Sequence, residues 1–116
     1  MQILVDADAC PVKQIIVQLA KENNIPVIML IDTSHEINDG YSRVITVDRQ
    51  ADSVDFALMG LLTREDIVLT QDFGLAAMVI GRRATQNLHF ALDISARLWY
   101  NFIYIKLNKI YIIYRR

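Results

Sequence analysis

The sequence opens with residues 1–22, which read MQILVDADACPVKQIIVQLAKE. Met1–Val5 has the length and composition of a buried strand, and the two aspartates that follow it are Asp6 and Asp8. Pro11 suits the first turn of a helix, and apolar residues then recur at helical spacing through the rest of the segment. A strand, an acidic turn and an amphipathic helix in this order predict the first β-α unit of a parallel sheet.

The same alternation continues to Gly81. Three further strands are predicted, at Ile25–Ile31, Arg43–Val47 and Ile67–Thr70. Two further helices are predicted, Ser53–Leu62 and Phe73–Ile80, and Gly81 occupies the usual position of a C-terminal glycine. Because the strands are apolar without polar alternation, both faces of the sheet must be covered. The sequence therefore predicts an α/β fold, a three-layer α/β/α sandwich with a mainly parallel central sheet.

The overall composition indicates one domain, residues 1–116, since the chain has 116 residues of which 53% are hydrophobic and 22% charged. With Cys10 as its one cysteine, the chain can form no internal disulfide, and a reducing, cytoplasmic location is expected. The first residues do not resemble a secretory signal. The apolar segment Leu98–Tyr114 is interrupted by asparagines and lysines, so no membrane span is predicted.

The formal charge of −1 is the sum of two segments whose net charges have opposite sign. Residues 1–97 carry eight basic and thirteen acidic residues, whereas residues 98–116 carry four basic residues and no acidic one. Residues 1–97 therefore have no positive electrostatic field to hold a phosphate backbone. The tail, 98–116, interleaves aromatic and basic residues, which is typical of a single-strand stacking platform but more often of a core-covering hairpin or subunit interface. A hairpin is favoured here, and either a homodimer through this tail or a tendency to aggregate is predicted.

Five aspartates fall where predicted strands end or helices begin: Asp6, Asp8, Asp52, Asp55 and Asp72. The carboxyl ends of parallel strands meet at one edge of a sheet, so these carboxylates are expected to share a small space. Their mutual repulsion calls for a counter-charge, and oxygen ligands in this number suit Mg²⁺ or Mn²⁺. Each aspartate alone could equally be a helix cap or a turn residue. The other loop acids are interpreted as solvated or turn residues: Asp32, Asp39, Asp48, Glu65 and Asp66.

Three segments together carry a family resemblance: VDADACPVK at 5–13, ADSVDF at 51–56 and DIVLTQDFGLAA at 66–77. They resemble the bacterial YaiI/YqxD family, a group similar to PIN-like nucleases. The resemblance covers residues 1 to about 80 and stops before the Tyr/Ile-rich tail, which is atypical of the family. It implies a PIN-like α/β/α domain and a metal-dependent ribonuclease, with RNA as the partner.

The resemblance also implies roles for individual residues. The catalytic carboxylates would be Asp6, Asp72 and either Asp52 or Asp55, of which Asp55 is preferred. The metal ligands would be drawn from Asp6, Asp8, Asp52, Asp55 and Asp72. Thr70 would orient a ligand or a metal-bound water. Lys13, one turn into the first helix, would contact a substrate phosphate, although a solvated surface lysine is an equally good interpretation.

Two other functions compete with this prediction. A strand that ends in Asp6-Ala7-Asp8 also suits a haloacid-dehalogenase-like phosphatase with Asp6 as the nucleophile and a neighbouring general acid. Thr33 could supply that enzyme's hydroxyl, but the Thr70-x-Asp72 pattern would stay unexplained. The third possibility is a non-catalytic module that binds metal or RNA. The four glycines form no phosphate-cradling pattern, and Cys10, His35 and His89 lack the neighbours of a nucleophile or a metal site.

Overall fold

The structure is a computed structural model that describes residues 1–8, 10, 13–32, 36–50, 53–63, 65–85, 102–107 and 110–115. Its strands are β1 (Ile3–Asp6), β2 (Val27–Asp32), β3 (Arg43–Val47), β4 (Ile67–Thr70), β5 (Phe102–Leu107) and β6 (Ile110–Arg115). Its helices are α1 (Lys13–Glu22), α2 (Ser53–Leu61) and α3 (Phe73–Thr85). Within the described residues, no helix is long and apolar enough to cross a membrane.

The six strands form one sheet in the order β3-β2-β1-β4-β6-β5. The first four are parallel, with Leu4 of β1 in register with Ile28 of β2 and Val68 of β4. β6 runs antiparallel to β4 and to β5. After β1 the chain forms β2 on one side of β1, and it later returns to form β4 on the other side of β1. The carboxyl ends of β1 and β4 therefore meet at a switch point, where open α/β sheets bind ligands.

The core lies on both faces of the sheet. Ile3 and Val5 pack with Val17 of α1 in one buried cluster. Leu4 packs on the opposite face with Leu58 of α2 and with α3. Alternate residues of one strand thus pack into two different cores, which explains why β1, β2 and β4 are apolar up to their last residues. The helices cover both faces, and the predicted three-layer α/β/α fold is confirmed.

The prediction that α3 ends at Gly81 is wrong, because the helix continues to Thr85. Gly81 does not have the left-handed backbone that would end a helix. No proline follows it, and Arg82, a good helix former, donates a hydrogen bond from its guanidinium to the carbonyl oxygen of Met59 on α2. The contact between the two helices favours continuation over a glycine cap.

The tail extends the sheet as an antiparallel pair. β5 and β6 are in register from Phe102↔Arg115 to Leu107↔Ile110, which confirms the predicted hairpin. β6 continues the ladder onto β4, with Val68 opposite Ile113. The hairpin therefore makes the sheet mixed, parallel from β3 to β4 and antiparallel beyond it.

Candidate functional site

A cavity of about 140 Å³ opens at the carboxyl edge of the parallel strands. Five carboxylates and one basic residue, Arg49, line it. The carboxylates are those of Asp8, Asp32, Asp48, Asp55 and Asp72. Ser53 and Val54, at the start of α2, complete one wall with Gln50. An unusual density of negative charge is therefore gathered in a small space.

The acids meet because every parallel strand ends at or shortly before one. Asp6 and Asp32 are the last residues of β1 and β2. Asp48 directly follows β3, and Asp72 comes two residues after β4. Parallel pairing brings these ends to the same edge of the sheet. Asp55, in the first turn of α2, approaches the same edge from the helical layer.

A hydrogen-bonded chain joins the two strands at the switch point. The Thr70 hydroxyl donates to Asp6 Oδ2 at 2.8 Å, and the backbone N–H of Asp72 donates to Thr70 Oγ1 at 3.0 Å. Thr70 is only 1% exposed, so its hydroxyl faces other protein atoms. The structure thus places Thr70 where it orients the Asp6 carboxylate, the kind of role that the family resemblance implies for it.

Asp72 also caps the N-terminus of α3. Its Oδ1 accepts hydrogen bonds from the backbone N–H groups of Gly74 at 2.7 Å and Leu75 at 3.3 Å. A Cβ at position 74 would lie 3.1 Å from that oxygen, which favours glycine there. The capping interpretation of Asp72 is therefore correct, and since the cap uses one carboxylate oxygen, it is compatible with a second role at the cavity.

Asp8 connects the ends of β1 and β2. Its Oδ2 accepts a hydrogen bond from the backbone N–H of Asp32 at 3.0 Å. The neighbouring Ala7 N–H donates to the Leu30 carbonyl oxygen at 3.0 Å, so the chain is held against β2 for a further residue. This contact fixes one wall of the cavity.

Burial raises the pKa of Asp6 above its ordinary value, because the half-buried carboxylate is poorly solvated. The hydrogen bond from Thr70 opposes this shift, whereas the negative charges of Asp8 and Asp72 add to it. Asp6 is therefore coupled to both neighbours by like-charge repulsion. A cation among these three carboxylates would relieve that repulsion.

Neither Asp6 nor Thr70 is among the residues that line this cavity, and the two remaining predicted site residues cannot be assigned to it either. The Lys13 ammonium donates to the Ala7 carbonyl oxygen at 3.0 Å, and its side chain lines a separate cavity between α1 and residues 36–39. Asp52 lies outside the described residues, as do Thr33, His35 and His89.

Sequence reasoning missed Asp32 and Asp48 as residues of the cavity. It interprets both as solvated or turn residues, but they line the cavity with the predicted acids. The signal was present, because Asp32 and Asp48 follow apolar strands as Asp6 does. It was overlooked because the two acids stand alone, outside any motif.

The donor set has the chemistry of a site for a hard divalent cation, since it consists of carboxylate oxygens. Within the described residues, however, no three acidic, histidine or cysteine side chains are arranged to hold a metal ion. The carboxylates are neighbours around a cavity and are partly engaged by backbone N–H groups. A cation here would require the carboxylates to turn towards one point.

The comparisons with known proteins identify the family. The profile of the YaiI/YqxD family, described as uncharacterised, matches residues 4–89. The chain belongs to this family. The match includes β1 to β4 and all three helices, and thus every described residue of the cavity; β5 and β6 lie outside it.

Three relatives that match the chain are named UPF0178 proteins. One from Ruminiclostridium cellulolyticum is 67% identical over 84 residues, 72% of this chain and 55% of that protein. One from Natranaerobius thermophilus is 48% identical over 84 residues, 72% of this chain and 57% of that protein. One from Clostridium acetobutylicum is 46% identical over 101 residues, 87% of this chain and 65% of that protein. The chain thus spans little more than half the length of the first two relatives. No solved structure matches the chain significantly.

Proposed function

We propose that the carboxylate cavity binds a divalent cation, Mg²⁺ or Mn²⁺, and that the protein is a metal-dependent phosphodiesterase acting on RNA. The observation that carries the proposal is the convergence of five carboxylates at the switch-point edge, beside the partly buried Asp6. The resemblance of three segments to a group similar to PIN-like nucleases supports the same reaction class. RNA as the substrate rests on that resemblance.

The pair Asp6 and Asp72 is the best candidate for holding the cation. These carboxylates follow adjacent strands, repel one another, and are joined through Thr70. Asp8, Asp52 and Asp55 are the remaining candidate ligands. When bound, the cation supplies charge neutralisation and lowers the pKa of its coordinated water.

Two other residues have supporting roles in the proposed reaction. Thr70 keeps the Asp6 carboxylate in one orientation through its hydroxyl. Arg49 offers a guanidinium to a substrate phosphate, for which its planar donor set is well suited. It lines the carboxylate cavity, whereas Lys13 does not. Arg49 is therefore a stronger candidate than Lys13 for the phosphate contact at this site.

The proposal is tested by titrating the protein with MnCl₂ in a calorimeter and by following cleavage of short RNAs. Asp6→Asn and Asp72→Asn are suitable variants, because asparagine can still accept the hydrogen bond from Thr70 and can still cap α3. We expect saturable Mn²⁺ binding and Mn²⁺-dependent cleavage in the wild type, with both reduced at least tenfold in each variant.

Glu65→Gln is the matched control, since it removes one exposed carboxylate at the opposite edge of the sheet. It should bind Mn²⁺ and cleave RNA as the wild type does. Equal cleavage by the wild type, Asp6→Asn and Asp72→Asn would overturn the proposal. A phosphoaspartate trapped at Asp6 with a fluoride analogue would establish the phosphatase alternative in its place.

A further inference from the structure

The strand β5 stands at one end of the six-stranded sheet, with β6 as its neighbour on one side. Among the strands that the structure describes, none pairs with its other side. The sequence of β5, FIYIKL, contains no proline and a single charged residue, Lys106. The outer edge of such a strand presents N–H and C=O groups that can pair with a strand of another chain.

The register of the hairpin determines which backbone groups of β5 face this edge. Leu107 and Ile110 form the last pair and have two residues between them in the sequence. A pair that closes so short a hairpin exchanges both of its backbone hydrogen bonds, and bonded pairs then alternate with non-bonded pairs along the strands. The N–H and C=O groups of Phe102, Tyr104 and Lys106 therefore point away from β6.

We propose that β5 pairs antiparallel with β5 of a second copy of this chain, which joins two sheets edge to edge in a homodimer. Two identical strands that pair antiparallel are related by a two-fold axis, so the assembly closes at two copies. With the axis at Tyr104, this residue faces its own counterpart, and Phe102 of each copy faces Lys106 of the other. All the outward N–H and C=O groups of these three residues then have partners.

Other registers pair the same two strands less completely. An axis at Ile103 would leave the outward groups of Lys106 without a partner in the strand, and an axis at Ile105 would do the same to Phe102. An axis at Lys106 would place two lysines directly opposite each other, where like charges are destabilising. With the axis at Tyr104 the two lysines stand about 13 Å apart along the pair, farther than the Debye length of about 8 Å at physiological ionic strength.

The opposite edge of the sheet, formed by β3, is less suited to pairing with another chain. β3 begins at Arg43 and is followed at once by Asp48 and Arg49, so charged residues stand at both of its ends. Charged residues on an edge strand are one device by which proteins prevent edge-to-edge pairing. Pairing of β5 with β3 of another copy would also have no closing axis and would produce a filament. The strand that fits β5 best is therefore β5 itself.

The hairpin of β5 and β6 lies outside the segment that the family profile matches. The pairing is therefore inferred for this chain alone and does not depend on the cation site proposed above. The carboxylate cavity lies at the ends of the parallel strands, and β5 contributes no residue to it. Variants of β5 should accordingly bind Mn²⁺ as the wild type does.

Sedimentation velocity of the full chain at increasing protein concentration should show a monomer-dimer equilibrium. Tyr104→Pro removes the outward N–H at the two-fold axis and leaves the carbonyl oxygen opposite it unpaired, so it should weaken dimerisation by at least about hundredfold. Proline is tolerated at this position because an edge-strand N–H that points away from the sheet makes no ladder bond within the monomer. A wild type that stays monomeric, or that assembles into a filament, would overturn the proposal.

Tyr104→Ala is the matched control, since it removes the same side chain and retains the backbone N–H. It should dimerise within about tenfold of the wild type, because the loss is confined to one cross-strand pair of side chains. Equal weakening by alanine and by proline would refute the pairing of backbone edges in favour of an interface held by side chains.

Cross-linking tests the register without requiring that the strand accommodate a proline. Tyr104→Cys places a thiol opposite its own counterpart, where Cα atoms of a bonded pair lie about 5.5 Å apart, within the range of a disulfide. Phe102→Cys is the control, because its two copies would stand about 13 Å apart. The native thiol of Cys10 is 3% exposed and should not compete. Under mild oxidation only Tyr104→Cys should yield a covalent dimer. Equal cross-linking of both variants, or of neither, would overturn the proposal.

Discussion

Asp6 and Asp66 lie at opposite edges of the same sheet and have opposite electrostatic surroundings. Asp66 precedes β4, is 1% exposed, and accepts hydrogen bonds from the Thr63 N–H at 2.8 Å and from Gln2. Burial alone would raise its pKa, but the hydrogen bonds from Thr63 and Gln2 outweigh burial and lower it. At Asp6, burial prevails and the pKa is raised. Hydrogen bonds stabilise the charged carboxylate of Asp66 at the amino edge, whereas the charge of Asp6 at the carboxyl edge is still to be neutralised.

Of the two interpretations of Asp66, as a solvated or as a turn residue, the second is correct and the first is wrong. It does belong to a turn, since its own N–H donates to the Thr63 carbonyl oxygen at 3.5 Å, but it is buried. Its carboxylate ties the segment before β1 to the segment before β4, two strands that pair in the sheet. At the amino edge the buried acid therefore stabilises the fold, whereas at the carboxyl edge the acids reduce its stability.

The largest effect is expected at the amino edge. Asp66→Ala leaves the N–H groups of Gln2 and Thr63 without their acceptor, which should lower the free energy of unfolding by about 3 kcal/mol. Urea denaturation followed by circular dichroism measures it. Glu65→Ala, the exposed neighbour, should change stability by less than about 0.5 kcal/mol. A similar loss in both variants would contradict the role assigned to Asp66.

At the carboxyl edge, Thr70→Val should weaken Mn²⁺ binding by about tenfold, because it removes the hydroxyl that orients Asp6. Thr70→Ser retains the hydroxyl and should restore most of the affinity. Calorimetric titration of both variants gives the comparison. If valine and serine bind Mn²⁺ equally well, the hydroxyl does not position a ligand.

Asp6→Asn should stabilise the metal-free protein, in contrast to the loss expected at Asp66. Because the folded-state pKa of Asp6 is raised, its charged form costs stability at neutral pH, and the amide removes that cost. Thermal unfolding in EDTA at pH 7 measures the change. A lower melting temperature in this variant would show that the Asp6 charge is already compensated without a cation.

The two edges should also respond oppositely to acid. The lowered pKa of Asp66 contributes stability above the unfolded-state pKa, near 4, and that contribution is lost as the pH falls further. The raised pKa of Asp6 has the opposite sign, and protonation relieves its cost as the pH falls through the folded-state pKa. Unfolding of Asp66→Asn between pH 3 and 7 should therefore show a shallower loss of stability than the wild type. An unchanged pH profile would refute the assignment.

The sequence predicted the layers and the parallel strands because both depend on local patterns. Arg43–Val47 and Ile67–Thr70 were predicted at their observed bounds, since apolar runs between helices define buried strands. The end of α3 was missed because Arg82 contacts α2, a tertiary effect that local propensity does not contain. Asp32 and Asp48 were missed because strand order, which brings their strands to the cavity, is not local either.

The pairing of β4 with β6 crosses the boundary of the family match, because Val68 lies inside it and Ile113 outside. Ladder hydrogen bonds are made by backbone atoms, so a strand edge can accept a segment whatever its side chains. The outer edge of β4 is thus a modular boundary, at which unrelated sequence can be appended to a shared fold. The cavity lies at the ends of the strands rather than along that outer edge, so its chemistry can be inherited while the margin of the sheet diverges.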